Sequence, residues 1–173
     1  MKSSYQNNTA SGGPALLPMR GHQADILGLF EEILRNGADL RVMVTGRSMV
    51  PFLKGGEVLT IRQTPSLYLQ KGDLVLYKNS FELPVLHRVL NKRKTVDGTF
   101  RILTKGDALM NFDEEIHEDS VLGKVLRIER PLLSGKTRHI DMNSLFYRCL
   151  NFSVAVLGFF RTQAFFFFLS KRP

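Results

Sequence analysis

The feature that most constrains this chain is a succession of six short β-favouring runs: Leu40 to Val44, Val58 to Ile61, Leu74 to Tyr77, Val85 to Leu90, Phe100 to Leu103 and Val121 to Ile128. Between them stand Lys54-Gly55-Gly56, Gln70-Lys71-Gly72-Asp73, Asp97-Gly98 and Lys105-Gly106-Asp107. Glycine and aspartate in such positions favour tight turns over continued strand or helix. The pattern predicts a mainly β (α+β) domain, a coiled β-sheet spanning roughly residues 40 to 130.

The flanks have a different texture. From about His22 to Asn36 the apolar residues Ile26, Leu27, Phe30, Ile33 and Leu34 recur at helical spacing, and Gly37 follows where a C-terminal cap would sit. One N-terminal amphipathic helix is expected there. Residues 1–20 are rich in Ser, Asn and Gly, and the short apolar group Ala15-Leu16-Leu17 is broken by Pro18, so they read as a disordered lead-in with no secretory h-region. Residues 21–135 read as one catalytic domain, and residues 140–173 as an apolar, membrane-associated tail of unknown orientation. The twelve Leu, Val and Phe between Cys149 and Leu169 favour insertion by about −4 to −7 kcal/mol, whereas a central Arg161 costs about 3 kcal/mol. Full spanning is therefore marginal. An interfacial or re-entrant anchor held by Arg148, Lys171 and Arg172 accounts for the same residues, as does a helix or pair of helices packed on the domain.

Composition narrows the chemistry further. The formal charge of +8 favours contact with nucleic acid or an anionic membrane surface. Cys149 is the only cysteine, which rules out an internal disulfide framework and a cysteine-based zinc site, so no metal or other cofactor is expected. Hydrolysis without a cofactor needs an activated nucleophile, a base and oxyanion donors. Ser48 lies just after a predicted strand, in Val44-Thr45-Gly46-Arg47-Ser48-Met49-Val50-Pro51, and Val50 excludes the Gly-x-Ser-x-Gly elbow of α/β-hydrolases. His87 is the one histidine in a strongly apolar strand, while His22 belongs to the helix and His117 and His139 sit in loop-like, solvated contexts. Strand alternation sends His87 and Arg88 to opposite faces, so only one of them can enter a given pocket. Asp107 and Asp113 put two carboxylates in one loop, and either could hold the imidazole in the tautomer a base needs.

Taken in order, Gly46-Arg47-Ser48-Met49-Val50-Pro51, Lys71-Gly72-Asp73-Leu74-Val75-Leu76-Tyr77, Pro84-Val85-Leu86-His87-Arg88-Val89, Leu103-Thr104-Lys105-Gly106-Asp107 and Val121-Leu122-Gly123-Lys124-Val125 resemble the signal peptidase I-like serine peptidases. The likeness covers about residues 42 to 128 and is greatest to the archaeal and endoplasmic-reticulum type. That resemblance implies a coiled β-sheet peptidase domain and cleavage next to small residues in membrane-targeted precursors. It implies Ser48 as nucleophile, His87 as base where bacterial enzymes place a lysine, and the Ser48 amide as oxyanion donor. Asp113 would be the third member, with Asp107 close by and also needed. The sequence departs from the family at Gly46, where a serine is usual, and at Ala108-Leu109, where a pair of asparagines is usual. No stretch before the first helix reads as the family's N-terminal membrane anchor, so only the C-terminal tail is expected to anchor the chain. Two other classes share features: a self-cleaving repressor-type regulator, and a silent module that binds peptides by strand addition. A single helix is too little for a helix-turn-helix and no lysine occupies the base position, so no nucleic-acid partner is expected. The presence of both Ser48 and His87 speaks against the silent module.

Overall fold

The computed structural model describes residues 17–18 and 23–170. The rest of the expected lead-in and the last three residues lie outside the described residues, as does His22. In chain order the elements are β1 (Leu17–Pro18), α1 (Gln23–Arg35), β2 (Leu40–Met43), β3 (Val58–Arg62), β4 (Leu74–Lys78), β5 (Pro84–Lys94), β6 (Phe100–Lys105), β7 (Ile116–His117), β8 (Val121–Pro131), β9 (Thr137–Asp141) and α2 (Leu145–Ser170). Short 3₁₀ turns at Ser66–Tyr68 and Glu118–Ser120 complete the path.

All six β-favouring runs become strands of a single sheet ordered β1-β2-β3-β8-β4-β5-β6-β7, with β9 beside β8. Every pairing is antiparallel except that of β1 with β2. The register slips at Thr60/Ile61, Leu76/Tyr77 and Val89/Asn91. Each such irregularity bends its strand and adds right-handed twist, and together they curl the sheet into the expected coil. The long strand β8 joins the two halves: it pairs with β3 along one edge, and on the other with β4 at its start and β9 toward its end.

Alternation along the strands sorts apolar side chains into two cores. Leu40, Val42, Leu59, Ile61, Leu74, Leu76, Val125 and Ile128 pack with Leu27, Phe30 and Leu34 of α1. Val75, Tyr77, Val89, Ile102 and Ile116 form the second cluster, so β4 is buried on both faces. Burying each such Leu, Ile or Phe contributes about 1.5–3 kcal/mol. The helix α1 ends as its sequence indicates: Gly37 adopts φ 76°, its amide donates to Leu34 O, and that of Ala38 donates to Ile33 O. These two bonds satisfy carbonyls the last helical turn leaves open.

The apolar tail is one continuous helix, docked along one side and open along the other. Asn151, Ala155 and Thr162 are buried, and Gly158 is half-buried in the same row. These small residues let the helix backbone come close: a Cβ on Gly72, itself at φ 97°, would lie 2.7 Å from the backbone of Asn151 and Phe152. On the opposite side Phe146, Leu150, Leu157 and Phe160 are exposed, and Phe165 to Phe168 continue the exposed surface. Of the described residues, only this helix, at Leu145–Phe168, is long and apolar enough to cross a membrane.

Candidate active site

The turn after β2 carries Ser48 to the edge of an apolar groove of about 390 Å³, lined by Val42, Val44, Met49, Leu59, Ile61 and Leu76. His87, from β5, lines the same groove. Its side chain is buried and its Nδ1 lies 2.6 Å from Asp113 Oδ2. That carboxylate also accepts from Thr104 Oγ1 at 2.7 Å and from Tyr77 OH at 3.2 Å. With Asp113 as acceptor, the neutral imidazole carries its proton on Nδ1 and keeps a lone pair on Nε2.

His87 Nε2 and the serine turn both approach Gly106. A Cβ built on Gly106 would lie 2.8 Å from Ser48 O and 3.0 Å from His87 Nε2, so both atoms crowd one small space that only glycine leaves open. The Ala108 amide donates to Ser48 O at 2.8 Å, tying the turn of residues 106–109 to the serine turn. Among the described residues no acceptor pairs with the Ser48 amide, which is therefore available to a ligand. Gly46, two residues earlier, faces open space.

The two carboxylates have different partners. Asp113 returns toward β6 through a bond from its amide to Thr104 O, at 3.0 Å, and reaches His87. Burial pushes its carboxyl up, but the hydrogen bonds from His87, Thr104 and Tyr77 and the adjacent imidazole outweigh burial and hold it below its usual range. Asp107 lies across the sheet and binds Arg88 in bidentate fashion, at 2.8 and 2.7 Å. The Arg88 side chain is fully buried, donates also to Gly72 O and Asn151 Oδ1, and stacks over Phe52. His87 and Arg88 thus point to opposite faces, as strand alternation predicts.

Sequence reasoning did not single out several residues of this site. Thr104 and Tyr77 stand inside two of the segments that carry the resemblance, on strands that flank His87, but nothing in the sequence marks them as partners of Asp113. Arg161, weighed in the sequence only as a cost to membrane insertion, donates to Asp107 O and Leu109 O. His117 and His139 do not line this groove, though His117 lines a neighbouring pocket with His87 and Asp113. His117 lies on β7 and accepts from the Asp119 amide, and His139 is exposed on β9, so both sit on short strands rather than in loops.

No protein-family model matches the chain. Over 67 residues it is 34% identical to the signal peptidase complex catalytic subunit SEC11 of Plasmodium falciparum, a stretch covering 38% of this chain and 35% of that protein. The chain thus matches about a third of that relative's length. The likeness is at the level of a superfamily and supports a peptidase in coarse terms. Together with the curled sheet, it makes this chain similar to a signal peptidase catalytic subunit.

Proposed function

We propose that the protein is a serine endopeptidase of signal peptidase type, which hydrolyses a peptide bond in a precursor or exported peptide while associated with a membrane through α2. The observation that carries this reading is the His87–Asp113 bond, which keeps a lone pair on Nε2 where it and the Ser48 turn both approach Gly106, beside a shared groove.

In the reaction Nδ1–H remains donated to Asp113. Nε2 accepts the Ser48 Oγ proton as Oγ attacks the substrate carbonyl carbon, and the charge that develops on the carbonyl oxygen is met by the Ser48 amide. The C–N bond then breaks, Nε2 returns the proton to the leaving amine, and the acyl group stays on Ser48. A water deprotonated by Nε2 attacks that ester, the acid leaves and Ser48 regains its proton. Asp113 keeps the tautomer, and Asp107 serves by holding the loop through Arg88.

The outer edge of β2 accepts an extended chain in parallel register, since Leu17 pairs with Val42 and Pro18 with Met43. A substrate strand added there in place of β1 runs toward Ser48 along Val42 and Val44, with main-chain bonds supplying affinity and the apolar groove selecting side chains. The exposed aromatic side of α2 suits the interfacial region of a bilayer, where such rings gather.

Cleavage of a panel of secretory-precursor peptides by the detergent-solubilised full chain tests the reading. Wild type is expected to cut next to small residues, and Ser48→Ala and His87→Ala each to lose roughly 10⁴- to 10⁶-fold in kcat. Cleavage that survives Ser48→Ala sinks the mechanism. Flotation with anionic vesicles, lost on replacing Phe165 to Phe168 with serine, tests the membrane part.

A further inference from the structure

We propose that Arg161 is a positioning residue for the reaction above, so that α2 forms part of the catalytic unit as well as an anchor. The inference rests on the peptidase reading for its kinetic consequence, but its geometry stands apart from it. Arg161 projects from α2, whose only other cation among the described residues is Arg148 near its start. A single nitrogen, Nη2, donates to Asp107 O at 2.9 Å and to Leu109 O at 2.8 Å. These carbonyls flank Ala108, whose amide holds Ser48 O. One guanidinium therefore clamps both sides of the link between the loop and the nucleophile turn.

Arg88 holds the Asp107 side chain from the sheet, but few bonds hold the backbone of the loop beyond it. The Leu109 amide closes the turn onto Gly106 O at 3.0 Å. Ala108 and Leu109 have no polar side chains of their own, and among the described residues no other group donates to the two clamped carbonyls. The Lys105 ammonium is close by but is turned to Gly106 O at 3.2 Å. Gly106 itself stands where Ser48 O and His87 Nε2 converge. Loss of the clamp frees the loop to shift against both atoms, and displacement of reacting groups by about 1 Å can cost roughly 10²-fold in rate.

A purely structural role, seating α2 on the sheet, makes a different prediction, and Thr162 supplies the control. Among the described residues its buried hydroxyl has no partner, so Thr162→Val next door leaves the docked face intact and removes an unsatisfied group. The experiment uses the full chain in detergent and reads kcat, KM and hydrogen exchange at the Ala108 and Leu109 amides for wild type, Arg161→Ala, Arg161→Lys and Thr162→Val. Arg161→Ala is expected to lower kcat by on the order of 10- to 100-fold with KM within about 2-fold. It is also expected to speed exchange at both amides while the α2 amides stay protected. Arg161→Lys restores part of both, and Thr162→Val matches wild type. An unchanged kcat in Arg161→Ala, or losses that merely track release of α2, overturns the proposal. Should wild type cut no peptide, the peptidase reading fails by itself. Exchange at Ala108 then decides whether the clamp exists: faster exchange in Arg161→Ala retains it, and unchanged exchange removes it.

Discussion

His87 and Arg88 are neighbours on β5, yet the two sides of the sheet treat them in opposite ways. On the groove side the imidazole is held by one bond to Asp113, and among the described residues its second nitrogen has no hydrogen-bond partner. On the helix side Arg88 has Nε, Nη1 and Nη2 all engaged, with Asp107, Gly72 and Asn151 as acceptors. A buried group whose hydrogen-bonding capacity is used up contributes structure, whereas one held in place with a lone pair to spare can do chemistry. The same contrast separates Asp113 from Asp107, although both come from one loop.

Substitutions that move a residue from one regime to the other test the contrast, and the largest effect is expected at Asp113. Asp113→Ala should lower kcat by roughly 10³- to 10⁴-fold, because the imidazole loses its tautomer, whereas Glu115→Ala on the exposed neighbour should change it less than about 2-fold. Equal losses in peptide cleavage by the two variants would abolish the distinction. On the helix side the cost should fall on stability. Arg88→Met strips buried Asp107 of its hydrogen-bonded cation and is expected to cost about 3–5 kcal/mol in denaturant unfolding, while the double change Arg88→Met, Asp107→Asn recovers a large part of it. A double variant no more stable than the single one breaks the pairing argument.

The two sides respond to pH in the same sense, each adding stability as the pH rises, but in windows far apart. The Asp113 carboxyl is held below its usual value, so its contribution to stability is present above about pH 3.9 and is lost as the pH falls through the lowered value. Lys105, buried on the helix side near Gly158, is pushed down by desolvation and by the nearby Arg161. In the window between its lowered value and about 10.4 the unfolded chain binds the extra proton, so this group makes stability rise with pH. Lys105→Met should therefore flatten the alkaline side of the stability profile, and Asp113→Asn the acid side; thermal midpoints across pH would show the reverse if the assignments were exchanged. The smallest effect is expected at Gly46, where open space admits a side chain. Gly46→Ser offers a hydroxyl two residues before the proposed nucleophile Ser48 and should raise kcat up to about 10-fold with no loss of stability, a gain read in single-turnover acylation.

Much of the fold was legible because it depends on local signals. The runs around Val42, Leu59, Leu76, Val89, Ile102 and Val125 alternate or cluster strongly enough to declare strands, and Gly37 declares the end of α1. The missed strands lack that signal. In β9 only Ile140 is buried along Thr137–Asp141, and β1 and β7 are two residues each, so pairing partners rather than their own sequence make them extended. Within the site, Ser48 and His87 stood out by residue type and context. The division of labour between Asp107 and Asp113 did not, because it depends on how the loop returns to Thr104 and on an arginine facing the other way. The role of Arg161 was equally hidden, since a cation in an apolar helix reads as a penalty until its carbonyl acceptors are placed.

The docking of α2 has a consequence for reach. The helix is fastened at Asn151, Ala155 and Thr162 and pressed against Gly72, so it cannot swivel beneath the sheet. Whatever surface its aromatic side rests on, the mouth of the groove then stands at one fixed height and tilt above that surface. On the proposed peptidase reading, such a molecule works as a gauge as well as a blade: a bond at the right depth along an embedded polypeptide meets Ser48, and an identical bond a few residues higher or lower passes it by.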